Sequence, residues 1–374
     1  MRIAWTVPGG VDASGRERVV PNWLWLLSRI AARHHVVVFV AGTHDIARTY
    51  SLVGATVSDL GRPRGPTGLR LFCHHRALAR SVAAQGPFDV VHGFWGVPAG
   101  ILAATVAYRL GIPSLVTFDS GELTSSPEIS YGLQRTWRGR LQVRIATAAA
   151  TRVTVSSEYM RALARTHGIE AEFAPIGVDA ALFATDRRGL PAGPPWRLIQ
   201  VASLNRVKDQ TTLLHALERI VLRVPDTHLD VVGEDTLGGA MQELAARVGI
   251  ERHVTFHGFQ PTDRLRDFYA HAHLFVQSSR HEAAGVAVAE AAAAGLPIVG
   301  TRVGYVSDWS ADAAVAVPVG DAVALADAVV SVLKDPERRA QLAAAAVARA
   351  RALDADRTAL RFEELYQALA DETR

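Results

Sequence analysis

Residues 278–301 read SSRHEAAGVAVAEAAAAGLPIVGT and carry the clearest structural pattern of the chain. The apolar run Leu274–Gln277 precedes this stretch and predicts a strand. A polar turn follows, and the alanine-rich residues from Ala284 to Ala294 predict a helix that ends at Gly295. Pro297 then opens the next apolar run. A strand, a turn, a helix and a second strand in this order are typical of a parallel α/β sheet.

The same alternation recurs in both halves of the chain. The predicted strands of the first half are Ile3–Val7, Val36–Val40, Val90–His92, Leu115–Phe118 and Val153–Ser156. Those of the second half are Leu198–Ala202, Leu229–Val232, Val254–Phe256, Leu274–Gln277, Ile298–Gly300 and Ala314–Val317. These runs are continuously apolar, as expected of parallel strands that helices cover on both faces. The helix after Leu198–Ala202 is predicted to begin after Asp209 as N-cap and to stop before Pro225.

A segment rich in proline and glycine, residues 186–196, separates the two halves and predicts a linker. The chain is therefore interpreted as an α/β protein with two doubly wound, Rossmann-like domains that face each other across a cleft. The first domain covers residues 1–185 and the second covers residues 197–355. A C-terminal helix, residues 356–374, is expected to pack back on the first domain. Ligands of this architecture bind at the carboxyl ends of the strands.

The amino-acid composition limits the kinds of protein that this chain can form. The chain has 374 residues, of which 49% are hydrophobic and 21% charged, so two folded domains are expected rather than a disordered chain. One cysteine excludes a disulfide framework and a cysteine-rich zinc site, and it fits a cytoplasmic location. The adjacent histidines and cysteine at 34–35 and 73–75 have no carboxylate at a ligand spacing, so no metal site is predicted.

The charge is distributed unevenly. Residues 1–185 carry 19 arginines, no lysine and 12 acidic residues, whereas the remainder carries 21 basic and 25 acidic residues. A basic first domain predicts an anionic partner, and peripheral contact with an anionic membrane fits the arginines around Trp137 and Phe72. No motif of a nucleic-acid-binding domain accompanies them, so nucleic acid is not an expected partner. No segment has the ~18 apolar residues needed to span a bilayer.

The carboxylates Glu282 and Glu290 stand eight residues apart. On one helix they would point about 80° apart, because each residue turns the helix by ~100°. If Glu282 instead lies in the turn before the helix, both can reach a ligand at its N-terminus. The backbone N–H groups of Ala284, Gly285 and Val286 would point at that ligand, and free amides there favour an anion such as a diphosphate.

These motifs resemble those of retaining GT-B glycosyltransferases of glycosyltransferase family 4. The resemblance rests on Glu282-x7-Glu290 with the AAAAGLPIVGT that follows, and it covers nearly the whole chain. Further matches are ASLNRVKD at 202–209, PIGVDAALF at 175–183, DVVH at 89–92, GIPSLVT at 111–117 and the pair Gly9-Gly10.

The resemblance implies how the donor would be held. Glu290 would accept hydrogen bonds from the ribose hydroxyls of the nucleotide, and Glu282 would hold hydroxyls of the donor sugar. Lys208 would stabilise the diphosphate as it leaves. No cofactor is implied, since the nucleoside-diphosphate sugar, a UDP- or GDP-sugar, is a co-substrate.

It also implies an acceptor side in the first domain. Gly9 and Gly10 would let the backbone approach donor or acceptor. His92, at the end of a predicted strand, is either a residue on the acceptor side or a core histidine with satisfied hydrogen bonds. The acceptor would offer a hydroxyl group and would be a glycan, a lipid-linked molecule or a small molecule.

Several positions depart from the family pattern, among them Ala283-Ala284, Tyr305 and two that bear on the site. Where the family has arginine beside the lysine loop, this chain has Ser203, and Arg206 is expected to supply the second cation. Where the family often has histidine after the fourth strand, this chain has Asp119. Because a carboxylate would repel a diphosphate, Asp119 is expected to serve acceptor or sugar hydroxyls.

Other functions remain open at this point. A nucleotide-sugar epimerase of the same architecture would consume the donor without an acceptor, and a transferase-like subunit would bind the donor without turnover. A dehydrogenase is disfavoured, because the glycines at 9, 10 and 15 do not form Gly-x-Gly-x-x-Gly and no acidic residue ends the second strand at Val40.

Overall fold

A computed structural model describes residues 1–40, 46–62, 70–185 and 192–372. The chain divides into two compact units, of which the first comprises Met1–Gly177 with Ala355–Arg374 and the second Val178–Asp354. Each contains one sheet with helices packed against it. The prediction of two doubly wound α/β domains is therefore confirmed. In the part of the chain that the structure describes, no helix has the length and apolar character needed to cross a bilayer.

The first unit is built on an eight-stranded sheet. Its strands are β1 (Arg2–Val7), β2 (His35–Val40), β3 (Arg48–Leu52), β4 (Ala55–Asp59), β5 (Val90–Phe94), β6 (Ser114–Phe118), β7 (Arg152–Val155) and β8 (Glu172–Phe173). The strand order is β3-β4-β2-β1-β5-β6-β7-β8, and only β3 runs antiparallel to its neighbour. Its helices are α1 (Pro21–Ala31), α2 (Arg70–Gln85), α3 (Ile101–Leu110), α4 (Trp137–Ala149), α5 (Glu158–Thr166) and the C-terminal α14 (Ala355–Glu372).

The second unit has a six-stranded parallel sheet in the order β11-β10-β9-β12-β13-β14. The strands are β9 (Trp196–Val201), β10 (Thr227–Val232), β11 (Val254–Phe256), β12 (Leu274–Gln277), β13 (Ile298–Thr301) and β14 (Ala314–Val317). The helices are α6 (Ala180–Phe183), α7 (Gln210–Arg223), α8 (Ala240–Arg247), α9 (Thr262–His271), α10 (Val286–Ala293), α11 (Gly304–Asp308), α12 (Ala322–Lys334) and α13 (Pro336–Ala352).

Local signals account for the second unit well. Asp209 is the N-cap of α7, since its carboxylate accepts a hydrogen bond from the backbone of Thr212, and α7 ends before Pro225 as predicted. Helix α10 is shorter than its prediction of 284–294, because Gly285 adopts φ +93° and delays the first helical residue to Val286.

The units do not divide where the sequence suggested. The first unit ends at Gly177, earlier than the predicted residue 185, because the short helix α6 packs against α10. The Phe183 ring lies 5.8 Å from that of Tyr269 in the second unit. Helix α14 packs against α1 and β5 of the first unit. Of the predicted linker, residues 186–191 lie outside the described residues, and β9 already begins at Trp196.

Candidate active site

The loop between β12 and α10 presents free backbone donors. The N–H groups of Ala284, Gly285 and Val286 donate no hydrogen bond to any other part of the chain that the structure describes. Gly285 turns the chain at φ +93°, and a Cβ atom there would lie 3.3 Å from the side-chain oxygen of Gln277. The carbonyl of Ala284 is fixed by the N–H of Tyr305 at 2.7 Å. This end of α10 can therefore receive an anion.

Glu282 and Lys208 are brought together in front of α10. The Nζ atom of Lys208 lies 2.6 Å from Oε1 of Glu282, and the hydroxyl of Ser279 donates to the same oxygen at 2.6 Å. The side chains of Lys208 and Glu282 are 27% and 12% exposed, so both remain accessible to a ligand. The carboxylate neutralises the only lysine of this loop.

A buried network of side-chain amides and a hydroxyl group holds the loops that carry Lys208 and Glu282. Gln210 donates to the side chain of Gln200 at 3.1 Å, and Gln200 donates to the hydroxyl of Ser278 at 3.0 Å. That hydroxyl donates in turn to the carbonyl of Lys208 at 2.8 Å. The loop after β9 and the loop after β12 are thus held in register by a satisfied polar network, which makes a fixed position for the ammonium group.

Arg280 is a residue that the sequence reasoning missed. Its guanidinium contacts the buried carboxylate of Asp209 at 2.9 Å, and its backbone N–H donates to the carbonyl of Val207 at 2.7 Å. Arg280 therefore ties the Lys208 loop to the Glu282 loop. Its place inside the quoted motif, two residues before Glu282, is the signal that could have drawn attention to it.

Glu290 lies apart from this pair, on the buried side of α10. It is 6% exposed, and its Oε2 atom accepts a hydrogen bond from the hydroxyl of Tyr269 in α9 at 2.9 Å. Burial raises the pKa of Glu290 to about 7, although the bond from Tyr269 acts in the opposite direction. Tyr269 was not identified from the sequence, since nothing in the spacing links α9 to α10. Glu290 is therefore poised between its neutral and charged forms near neutral pH.

Arg206 and Ser203 occupy the remaining positions of the loop after β9. Arg206 is exposed and forms no ion pair with any described residue, so its charge stays available. Ser203 contributes its carbonyl to Gln210 at 3.3 Å. The structure thus contains a free cation in this loop, carried by Arg206 rather than by the residue at 203.

In the first unit, Gly9 and Gly10 follow β1 at the carboxyl edge of the sheet. Gly10 has φ +75°, and a Cβ atom there would lie 2.6 Å from the side chain of Val20. Its carbonyl accepts from the N–H of Val20 at 2.9 Å. The two glycines line a shallow recess together with Asp12 and Arg18. Gly10 is therefore required for the turn and its packing, whatever Gly9 contacts.

His92 does not fit the role on the acceptor side that the sequence suggested. It is fully buried in β5. Its Nδ1 atom bonds the hydroxyl of Tyr366 at 2.7 Å and its Nε2 atom bonds the hydroxyl of Thr117 at 2.7 Å. Burial holds the pKa of His92 well below its usual value. With both nitrogens engaged inside the core, His92 is a structural residue, and the prediction is corrected.

Asp119 lies where the sequence placed it, directly after β6. It is half-buried and accepts a hydrogen bond from the hydroxyl of Ser156, which follows β7. Nearby, the carboxylate of Glu122 is 2% exposed and accepts from the backbone N–H groups of Gly96 at 2.6 Å and Ser120 at 2.7 Å. Burial raises the pKa of Glu122, although the backbone donors oppose that rise. Glu122, which the sequence reasoning missed, joins the loops after β5 and β6.

No group of three or more histidine, cysteine, aspartate or glutamate side chains is arranged to hold a metal ion within the described ranges.

Two family models match consecutive parts of the chain. The first, described as a glycosyl transferase 4-like domain, matches residues 19–179. The second, described as glycosyl transferases group 1, matches residues 184–349 and includes the Lys208 and Glu282 loops. Together they cover most of both units.

Curated relatives extend over most of the chain. The GDP-mannose-dependent alpha-(1-6)-phosphatidylinositol monomannoside mannosyltransferase of Mycolicibacterium smegmatis is 31% identical and covers 75% of this chain and 77% of its own. The D-inositol 3-phosphate glycosyltransferase of Xylanimonas cellulosilytica is 28% identical over 96% of this chain and 93% of its own.

Solved structures share the fold at lower identity. Sucrose-phosphate synthase from Thermosynechococcus elongatus has a TM-score of 0.79 at 20% identity and covers 100% of both chains. The HepE protein of Anabaena, solved with UDP and glucose, has a TM-score of 0.78 at 17% identity and covers 98% of this chain and 100% of its own.

Proposed function

Because the chain belongs to the retaining GT-B glycosyltransferases of glycosyltransferase family 4, and so transfers a sugar from a nucleotide sugar, we propose that its second unit holds the donor at the start of α10. The observation that carries the proposal is the contact of Lys208 with Glu282 at 2.6 Å, in front of three free backbone N–H groups. A cation and open amides together suit a diphosphate, and the carboxylate beside them suits sugar hydroxyls.

The donor diphosphate would lie between Lys208 and the N–H groups of residues 284–286. Arg206, which has no ion-pair partner among the described residues, would add a second cation from solvent. Binding of the diphosphate would draw the ammonium group of Lys208 toward phosphate and leave Glu282 free to accept from hydroxyls of the sugar. The charge of the leaving diphosphate would then be stabilised by groups already in place.

Glu290 would accept hydrogen bonds from the ribose hydroxyls. Only the ionised carboxylate is a pure acceptor, so its pKa of about 7 makes donor binding sensitive to pH. Tyr269 would keep the carboxylate in its rotamer by donating from the opposite side.

The transfer itself would need no protein nucleophile. The acceptor hydroxyl oxygen bonds to the anomeric carbon on the face from which the diphosphate departs. The bond between the anomeric carbon and the phosphate oxygen breaks, and a phosphate oxygen takes the acceptor proton. Asp119, at the carboxyl edge of the first sheet, would orient the acceptor or a sugar hydroxyl.

We propose a UDP- or GDP-sugar as co-substrate and no separate cofactor. The name of one relative specifies GDP-mannose, and a structure of the same fold contains UDP. The acceptor would be a glycan, a lipid-linked molecule or a small molecule. We also propose a cytoplasmic location with peripheral contact between the basic first unit and an anionic membrane. An epimerase or a non-catalytic subunit is not favoured, since the named relatives are transferases.

The experiment measures hydrolysis and transfer with a panel of UDP-, GDP- and ADP-sugars. Lys208→Gln should lower turnover by roughly 10²–10³, as expected for loss of a charge aimed at the leaving group. Lys334→Gln is a matched control, because the sequence has only these two lysines and Lys334 is exposed at the end of α12. Wild-type turnover in Lys208→Gln would contradict the site, and conversion of the donor into a new sugar nucleotide without acceptor would indicate an epimerase.

A further inference from the structure

We propose that the outer surface of α3 and α4 in the first unit docks on an anionic phospholipid bilayer, with Trp137 inserted among the headgroups. This surface comprises the exposed residues of α3 and α4. The inference deepens the membrane contact in the proposed function, and it rests on that function only for the idea of a lipid-linked acceptor.

Helix α4 has an apolar stripe that no other described part of the chain covers. Trp137 is 64% exposed, Leu141 48% and Ile145 40%. They follow one another at intervals of four residues and therefore lie along one side of the helix over about 12 Å. Val143 and Ala146, on the opposite side, are buried and attach the helix to the unit. The stripe is thus held rigidly in solvent, and tryptophan at its end is the residue preferred at a membrane interface.

Helix α3 continues the same pattern. It packs alongside α4, and its last turn exposes Tyr108 by 79% and Leu110 by 38%, with Arg109 between them. Because α3 and α4 connect consecutive parallel strands, they run in the same direction and their last turns are neighbours. Tyr108 and Leu110 therefore lie beside the Ile145 end of the α4 stripe, at the opposite end from Trp137.

The charged residues that the helices of this surface contribute all have one sign. Helices α2, α3 and α4 contain seven arginines and no aspartate or glutamate. The Arg138 guanidinium lies over the Trp137 ring at 5.4 Å, and neither Arg138 nor Arg144 forms an ion pair with a described residue. Anionic lipid headgroups would neutralise such a surface while the apolar stripe enters the interface.

Because the arginines of this surface all carry positive charge, a membrane is favoured over a second copy of the chain as its partner. In a symmetric dimer the same arginines would meet each other, and like charges oppose that contact. The Trp137 end of α4 lies at the carboxyl edge of the sheet, since the loop that begins with Asp119 leads into it. Docking through this end would bring a lipid-linked hydroxyl to the edge where the acceptor is expected.

The experiment is flotation of the full chain with vesicles of phosphatidylcholine alone and of an equimolar mixture with phosphatidylglycerol. Each arginine near an anionic surface contributes about fivefold to the partition coefficient, so Arg138→Gln with Arg144→Gln should lower it about 25-fold. The control pair, Arg338→Gln with Arg351→Gln, removes two exposed arginines of α13 and should bind as the wild type.

Trp137→Ser should weaken binding to the anionic vesicles, whereas Leu222→Ser, at a side chain 79% exposed on α7, should not. Equal binding to neutral and anionic vesicles, or unchanged binding of the arginine pair, would overturn the proposal. So would a wild-type dimer in light scattering that Trp137→Ser converts to a monomer. Because no donor is present, these results are independent of transferase activity, and transfer to a soluble acceptor is measured separately.

Discussion

Replacing Glu290 by glutamine should make the protein more stable and less able to bind its donor. Burial raises the pKa of Glu290 to about 7, from an ordinary value of 4.5, so the folded protein favours the neutral side chain. Glutamine has the same shape, carries no charge and can still accept the bond from Tyr269. The substitution therefore removes the cost of burying a charge, and with it the charged acceptor proposed for the ribose.

The size of the effect follows from the shift in pKa. A group whose folded-state pKa is raised contributes stability that is fully present below its unfolded pKa and is lost as the pH rises through the folded pKa. For Glu290 that window runs from about 4.5 to about 7. At about 1.4 kcal/mol per unit, ionisation at pH 8 costs on the order of 3 kcal/mol. In a domain of this size, the melting temperature rises by roughly 2–4 °C for each kcal/mol of added stability. The melting temperature of Glu290→Gln should therefore be higher than that of the wild type by about 6 °C or more at pH 8.

Differential scanning fluorimetry across pH 4 to pH 8 tests this directly. The wild type and Glu290→Gln should melt together near pH 4 and diverge as the pH rises, while calorimetry with the preferred nucleotide sugar shows the loss of affinity. Both phosphates of a nucleotide sugar are esterified, so the ligand itself does not titrate in this range. Glu282→Gln serves as the control, because it removes an ion pair and should not stabilise the protein. The reasoning would be refuted if Glu290→Gln melted below the wild type at pH 8. It would also be refuted if the two melting temperatures differed by the same amount at every pH.

Three further substitutions probe the loops and the core. Gly285→Ala should lower both stability and donor affinity, since a Cβ atom there meets Gln277. Gly238→Ala is also left-handed but lies in open space, so in fluorimetry it should show only the ~1–2 kcal/mol conformational cost of a left-handed residue. Glu122→Gln should cost about 1–3 kcal/mol, because an amide N–H₂ replaces one acceptor of two backbone donors, and donor affinity in calorimetry should stay unchanged. Tyr366→Phe should cost a similar amount in urea unfolding by leaving a buried His92 nitrogen without its partner; unaltered stability would show that water replaces the hydroxyl.

The elements around the proposed donor site in the second unit could be predicted from the sequence because their signals are local. The strand, turn and helix around Glu282 lie within 24 consecutive residues, and the N-cap at Asp209 needs only its own helix. The contact of Lys208 with Glu282 joins residues 74 positions apart, and the bond from Tyr269 to Glu290 depends on how α9 packs on α10. Such contacts are set by tertiary packing, so the spacing could name the residues and not their partners.

The antiparallel strand β3 was missed for a different reason. It lies at the edge of the first sheet and has mostly exposed, polar side chains, so it lacks the apolar run by which the parallel strands were recognised. Its partner β4, Ala55–Asp59, was not predicted either. A pattern that identifies buried parallel strands cannot identify an edge strand of this kind.

The correction at His92 shows how a small error in a strand boundary changes a functional assignment. The predicted strand, Val90–His92, ended at the histidine and so placed it at the carboxyl edge, where ligands bind. The observed β5 continues to Phe94, and the histidine lies in the middle of the sheet, paired with Trp5 of β1 and Leu115 of β6. Asp119 lies one residue beyond the end of β6, which is why its expected position at the edge agrees with the structure. In a parallel sheet, a polar residue past the last strand residue lies at the edge where ligands bind, whereas one that lies two residues before the strand ends must satisfy its hydrogen bonds inside the core.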